Sequence, residues 1–157
     1  MAEAVASPRD PDRPRGCTCH RLRRTTRQVT RIYDRHLAPA GLTLTQYSVM
    51  SNLALGASPS PSMNELADLL GMDRTTLTRT LKPLMAARLV AFAPAADKRS
   101  KAVTLTPAGR AAFEIAKPLW RAAQNEMNAR LGPDRVVELH QLLDESFATL
   151  AETHAPV

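Results

Sequence analysis

Aromatic residues are scarce in this chain: three Phe, two Tyr and one Trp make up 4% of 157 residues. A core built from it has to be aliphatic, from Leu, Ala, Val and Met. With so little β-branched or aromatic alternation, the chain reads as mostly helical. Cysteine is nearly absent. Cys17 and Cys19 stand two apart near the N-terminus, and no disulfide framework follows from them. No apolar run approaches the ~20 residues of a membrane span. The opening "MAEAVASPRDPDRPRG" lacks the apolar segment of a secretory signal, so a cytoplasmic protein with no membrane partner is expected. Also missing are a glycine-rich phosphate loop, a locally supported Ser–His–Asp set and paired carboxylates in an apolar context. An enzyme is therefore disfavoured, and no cofactor or resident metal is expected.

What the chain does have is positive charge, unevenly placed. The net charge is +6. Residues 1–56 carry nine Arg against four acids, residues 57–110 eight Lys/Arg against four, and residues 111–157 four against seven. A basic first two thirds suits a polyanionic partner, nucleic acid above all.

Residues 1–16 hold Pro8, Pro11, Pro14 and alternating charge, and read as a disordered basic arm. From Cys17 to Leu37 a helix fits, with Leu22, Val29, Ile32, Tyr33 and Leu37 on one stripe and Arg23, Arg24, Arg27, Arg31 and Arg35 opposite; "APAG" ends this segment near residue 40. Thr43 with Gln46, and Ser62 with Glu65, have capping-box spacing. The helix after Thr43 carries Tyr47, Val49, Met50, Leu53 and Leu55 and reads as mostly buried. Gly71 closes a helix of about two turns, and Asp73 can cap the next one at once. Residues 89–93 and 102–105 are short β candidates around a cationic tip, and make a hairpin. Thr106 and Pro107 restart a helix, which Pro118 should kink and "GP" at 132–133 should break. A last helix carries Val136, Leu139, Leu143, Phe147 and Leu150 on one stripe, ahead of a tail at 153–157. The expected fold is mostly α with a small β-hairpin wing.

The segment "MDRTTLTRTLKPL" (72–84) is unusual for a helix, because it holds four threonines. Threonine is a mediocre helix former, and an exposed helix face more commonly uses Glu, Lys, Gln or Ala. On a helical wheel Leu77, Leu81 and Leu84 face inward. Thr75, Arg79 and Lys82 face outward with Thr76 and Thr78 flanking, Arg74 joins them as a DNA-contact candidate at the start of the helix, and no acid follows Asp73. Short hydroxyl side chains beside cations make a thin polar face that fits a major groove about 12 Å wide. Helix, glycine turn and helix with this face make a helix-turn-helix. Lys98, Arg99 and Lys101 then sit at the hairpin tip, where an Arg can enter a minor groove, with Asp97 orienting it.

The ordered set "GLTLTQYSVM", "NELADLLGMDRTTLTRTLKPL", "DKRSKAVTLTPAGR" and a long flanking helix pair resembles the multiple-antibiotic-resistance regulator family, MarR, over about residues 17–152. The resemblance implies a sequence-specific regulator of transcription, usually a repressor. A winged helix-turn-helix (43–106) would sit between N-terminal (17–40) and C-terminal (107–152) dimerisation helices. Two recognition helices of a homodimer would read a pseudo-palindromic double-stranded DNA operator. By position, Thr75, Thr76, Thr78 and Arg79 fall on the family's recognition helix, and Asp97 and Arg99 on its wing. Many members have Gly where this chain has Arg88; a left-handed backbone there would strain Arg by about 1 kcal/mol. Pro83 cannot donate to the Arg79 carbonyl.

The resemblance also implies a sensor, often for a small aromatic or carboxylate effector and in some members through thiols or metal. Arg27, Arg31, Tyr33 and Tyr47 are pocket candidates. Cys17 and Cys19 can be structural, redox-active or metal-binding. Neighbouring Arg residues favour thiolate, but Cys–X–Cys on one helix points the side chains about 200° apart. With His20 they supply three ligands of the four a tetrahedral site wants. A sequence-nonspecific architectural DNA binder is the alternative reading of the same charge and fold.

Overall fold

The computed structural model describes residues 16–58, 60–94 and 101–152. In chain order they form α1 (Thr18–Leu37), a 3-10 turn (Ala38–Ala40), α2 (Leu44–Leu55), α3 (Met63–Leu69), α4 (Arg74–Ala86), β1 (Val90–Pro94), β2 (Lys101–Leu105), α5 (Pro107–Leu131) and α6 (Pro133–Glu152). The expected arm up to Arg15, the hairpin tip at 95–100 and the tail at 153–157 lie outside the described residues.

The helix starts are fixed by local side chains. Thr43 Oγ1 accepts from the Gln46 amide at 3.3 Å while Gln46 Oε1 accepts from the Thr43 amide at 2.9 Å. Ser62 and Glu65 make the same reciprocal pair, at 3.2 and 2.7 Å. The Ser62 main-chain N–H, followed by its hydroxyl, holds the Glu65 carboxyl below its ordinary range. Gly71 takes a left-handed φ of 59° and ends α3, with its amide donating to Asp68 O at 3.0 Å and the Met72 amide to Ala67 O at 2.9 Å. α4 therefore begins within a few residues of the end of α3.

Leu77, Leu81 and Leu84 are 0–2% exposed and bury the inner face of α4. They join Val49, Met50 and Leu53 of α2 and Leu66 of α3 in one aliphatic core. β1 and β2 pair antiparallel from Val90↔Leu105 to Pro94↔Lys101. A bridge between Ser62 and Ala102, with the Val103 amide donating to Pro61 O at 2.9 Å, ties the hairpin to the start of α3.

Two contacts seat this unit on the long helices. Tyr47 of α2 stacks on Phe113 and Trp120 of α5, with ring centroids 5.4 and 5.8 Å apart. Between the long helices themselves, Glu126 of α5 meets two guanidinium groups and an imidazole: Arg35 Nη2 at 2.5 Å and His36 Nε2 at 2.7 Å from α1, and Arg130 Nη2 at 2.6 Å. Nearby, the Tyr33 hydroxyl donates to Gln124 Oε1.

Some expectations are corrected by the packing. Leu55, the last residue of α2, is 69% exposed and stands outside the core that Leu53 joins. The apolar stripe of α6 is present, yet no described side chain of α6 is buried, and Leu22 of α1 is exposed too. α5 stays one helix through Pro118. It ends at Gly132, whose φ is 87°.

Arg88 stands at φ 57°, in the left-handed region. Arg88→Gly should relieve the Cβ strain and raise the unfolding free energy by about 0.5–1 kcal/mol, read from urea midpoints at constant m. The Arg35 guanidinium, then His36, hold the Glu126 carboxyl down to about 2 against an ordinary 4.5. Its contribution is therefore complete above pH 4.5 and is lost as pH falls toward 2. The stability gap between wild type and Glu126→Gln should narrow over that window, as followed by urea titrations at stepped pH.

Candidate nucleic-acid interface

α4 presents the face that its sequence pattern indicated. Asp73 caps it, with Oδ1 accepting from the Thr76 amide at 2.9 Å and Oδ2 from the Thr76 hydroxyl at 2.6 Å. These bonds, the hydroxyl's first, keep the Asp73 carboxyl below its usual range. Arg74, Thr75, Thr76, Thr78, Arg79 and Lys82 are all exposed on the side away from the leucine stripe. The Thr78 hydroxyl donates to Arg74 O at 2.8 Å, and the Thr80 hydroxyl to Thr76 O at 3.0 Å.

Beside this face lies a cleft of about 470 Å³ between the start of α3, α4 and the hairpin, lined by Ser62, Met63, Asn64, Arg74, Thr78, Phe92 and Lys101. Lys101 of β2 sits over the Phe92 ring, 5.1 Å from its centroid. Two cations from different elements, Arg74 and Lys101, thus border one groove. A hollow of about 270 Å³ continues from it under α4, lined by Met63, Leu81, Met85 and Phe92 with Thr78 and Lys82. Asn64 and Phe92 were not singled out from the sequence. Phe92 was legible only as one strand residue among several, and its place against α4 depends on how the hairpin is anchored. Asp97, Lys98 and Arg99 lie outside the described residues.

The pocket candidates are not brought together. Tyr33 lines a mostly apolar cavity of about 240 Å³ between α1, α5 and α6, with Thr30, Gln124, Met127, Leu139 and His140 among its walls. Burial pushes the Tyr33 hydroxyl pKa up. Tyr47 is instead part of the core stack, and Arg27 and Arg31 are exposed on α1 outside that cavity. Cys17 and Cys19 are both free and exposed. Cys17 is the residue before α1, in an extended conformation, and Cys19 lies in the first turn. Among the described residues no three His, Cys, Asp or Glu converge on a point that could hold a metal ion, and no helix is long and apolar enough to cross a membrane.

A family model described as MarR family matches residues 40–100. The chain is similar over most of its length to solved structures of transcription regulators. The Mycobacterium tuberculosis regulator MosR, solved in complex with DNA, is 40% identical, with 85% of this chain and 98% of that chain covered and a TM-score of 0.72. A point mutant of Escherichia coli MarR complexed with operator DNA is 27% identical over 82% of this chain and 91% of that one, with a TM-score of 0.72. Bordetella bronchiseptica BpsR, whose DNA binding is regulated by 6-hydroxynicotinic acid, is 27% identical over 82% and 96%, with a TM-score of 0.71.

If the cleft seats a phosphate backbone, Arg74→Ala and Lys101→Ala should each weaken duplex binding on every sequence. Each should lower the slope of log K against log salt by about one, as measured by fluorescence anisotropy across a salt series.

Proposed function

The chain belongs to the MarR family, and from that premise we propose that it binds a pseudo-palindromic operator as a homodimer and represses transcription. It is a DNA-binding regulator of transcription with no catalytic role, acting in the cytoplasm. One observation carries the reading of the site: α4 buries an unbroken leucine stripe and turns outward a face with two Arg, one Lys and three Thr and no acid after its cap. A solvated surface helix has no reason to exclude acids. A helix that approaches a polyanion does. Thr75, Thr76, Thr78 and Arg79 face the major groove, Arg79 being the side chain suited to a bidentate guanine contact. Arg74, Lys82 and Lys101 hold phosphates, and Lys98 and Arg99, oriented by Asp97, reach the flanking minor groove.

The effector reading rests on the cavity behind Tyr33. It is walled mostly by aliphatic side chains, with the Gln124 amide and His140 as polar points, a composition that suits a small aromatic acid. A thiol reading has its own support. Cys17 stands outside α1, so a Cys17–Cys19 bridge would unwind only the first turn of the helix.

The test is anisotropy with duplex DNA flanking the protein's own gene against scrambled duplex, at physiological salt. Selective binding is expected, and Arg79→Ala should cost about 1–3 kcal/mol and relax the preference at one base pair. Equal affinity for both duplexes would replace this reading with an architectural one. Loss of binding with aromatic acids assigns the effector to the cavity, and loss with mild peroxide assigns it to the cysteines.

A further inference from the structure

A threonine hydroxyl has one proton to give and lone pairs to accept with. Where the proton goes decides what the residue can say to DNA. Three of the four α4 threonines have given theirs away within the helix: Thr76 to the Asp73 carboxylate, Thr78 to Arg74 O and Thr80 to Thr76 O. Thr75 is exposed, and among the described residues its hydroxyl has no partner.

Phosphate oxygens, guanine O6 and N7, adenine N7 and thymine O4 are all acceptors. Thr78 would have to give up its bond to Arg74 O before donating to any of them. What it retains is a γ-methyl group and an oxygen that only accepts. Thr78 borders both the cleft with Arg74 and Lys101 and the mostly apolar hollow lined by Met63, Leu81, Met85 and Phe92. Thr75, with an unspent proton at the second position of the helix, is equipped for an acceptor.

We infer that the threonines of α4 divide the work, with Thr78 selecting thymine through methyl–methyl contact and Thr75 anchoring the helix by donating to a phosphate. The inference rests on the regulator reading above. It assigns the base preference at Thr78 to a carbon atom rather than to the hydroxyl that would ordinarily be credited.

The experiment compares Thr78→Val, Thr78→Ser and Thr75→Val on the selected operator and on the same duplex with single thymines replaced by deoxyuridine. Wild type should lose about fourfold at one thymine, the worth of one methyl group. Thr78→Val should keep that loss, whereas Thr78→Ser should abolish it. Thr75→Val should weaken binding about tenfold on operator and scrambled duplex alike. Selective binding by wild type that Thr78→Val abolishes, or a Thr78→Ser protein that still distinguishes thymine from deoxyuridine, overturns the assignment to the methyl while leaving the regulator intact. Unchanged affinity in Thr75→Val overturns the anchor. Wild-type binding without selection overturns the regulator reading itself.

Discussion

The junction at Thr106 is the constraint on which the geometry of the interface depends. Its hydroxyl donates to Arg88 O at 2.7 Å and accepts from the Gly109 amide at 2.9 Å, while its own amide donates to Leu89 O at 3.1 Å. One residue thereby binds the end of the α4 turn, the base of the hairpin and the first turn of α5. The approach is so close that a Cβ on Gly109 would lie 1.9 Å from Leu89 O. Only glycine fits, because the obstacle is backbone and cannot rotate away. The strain at Arg88 belongs to the same junction. The chain has to leave α4 and enter β1 within three residues, and a left-handed residue makes that turn. The hairpin is then held at both ends, by Thr106 at its base and by the Ser62–Ala102 bridge at the start of α3. Arg74 and Lys101 border one cleft for this reason.

The second requirement is that α4 be rigid relative to α5 and α1. The aromatic stack of Tyr47 with Phe113 and Trp120 spends half of the chain's six aromatic residues at one place, the α2–α5 contact. The Glu126 cluster does the corresponding work between α5 and α1 with charge instead of area. With Arg35 59% and Glu126 21% exposed at the side chain, these bonds fix direction more than they add stability. A displacement of α1 against α5 has to break that cluster or the Tyr33–Gln124 bond, so the cavity beside them is mechanically connected to the reading helix through α5.

What was legible in the sequence was local. Thr43, Ser62, Asp73 and Thr106 each cap a helix because the partner lies three residues along the chain, so spacing alone identifies the bond. The leucine stripe of α4 was legible for a similar reason, since period 3.6 maps directly onto a face. The left-handed turn at Arg88 was visible only as a departure from a family pattern. The cleft was not legible. Phe92 and Asn64 meet across elements whose separation is set by the Thr106 and Ser62 anchors, and nothing in their immediate neighbours announces that. Nor were the threonine hydroxyls: the sequence pattern suggested three polar readers, Thr75, Thr76 and Thr78, but a helical threonine can bond the carbonyl four residues back. The face remains polar and thin, while its chemistry is narrower than the residue names suggest.

The apolar stripe expected on α6 is left uncovered within the chain. Leu142, Leu143, Phe147 and Leu150 are 42–67% exposed, as is Ile115 of α5 at 65%. A contiguous apolar surface of this kind is not what a monomeric soluble domain leaves in water. The charge pattern points the same way. α1 is Arg-rich on the face away from the cavity, while α6 carries Asp134, Glu138, Asp144 and Glu145. Of the Arg on that face, Arg35 is held within the same copy by Glu126 of α5. The exposed apolar side chains of α5 and α6 are the surface that the homodimer proposed above would cover.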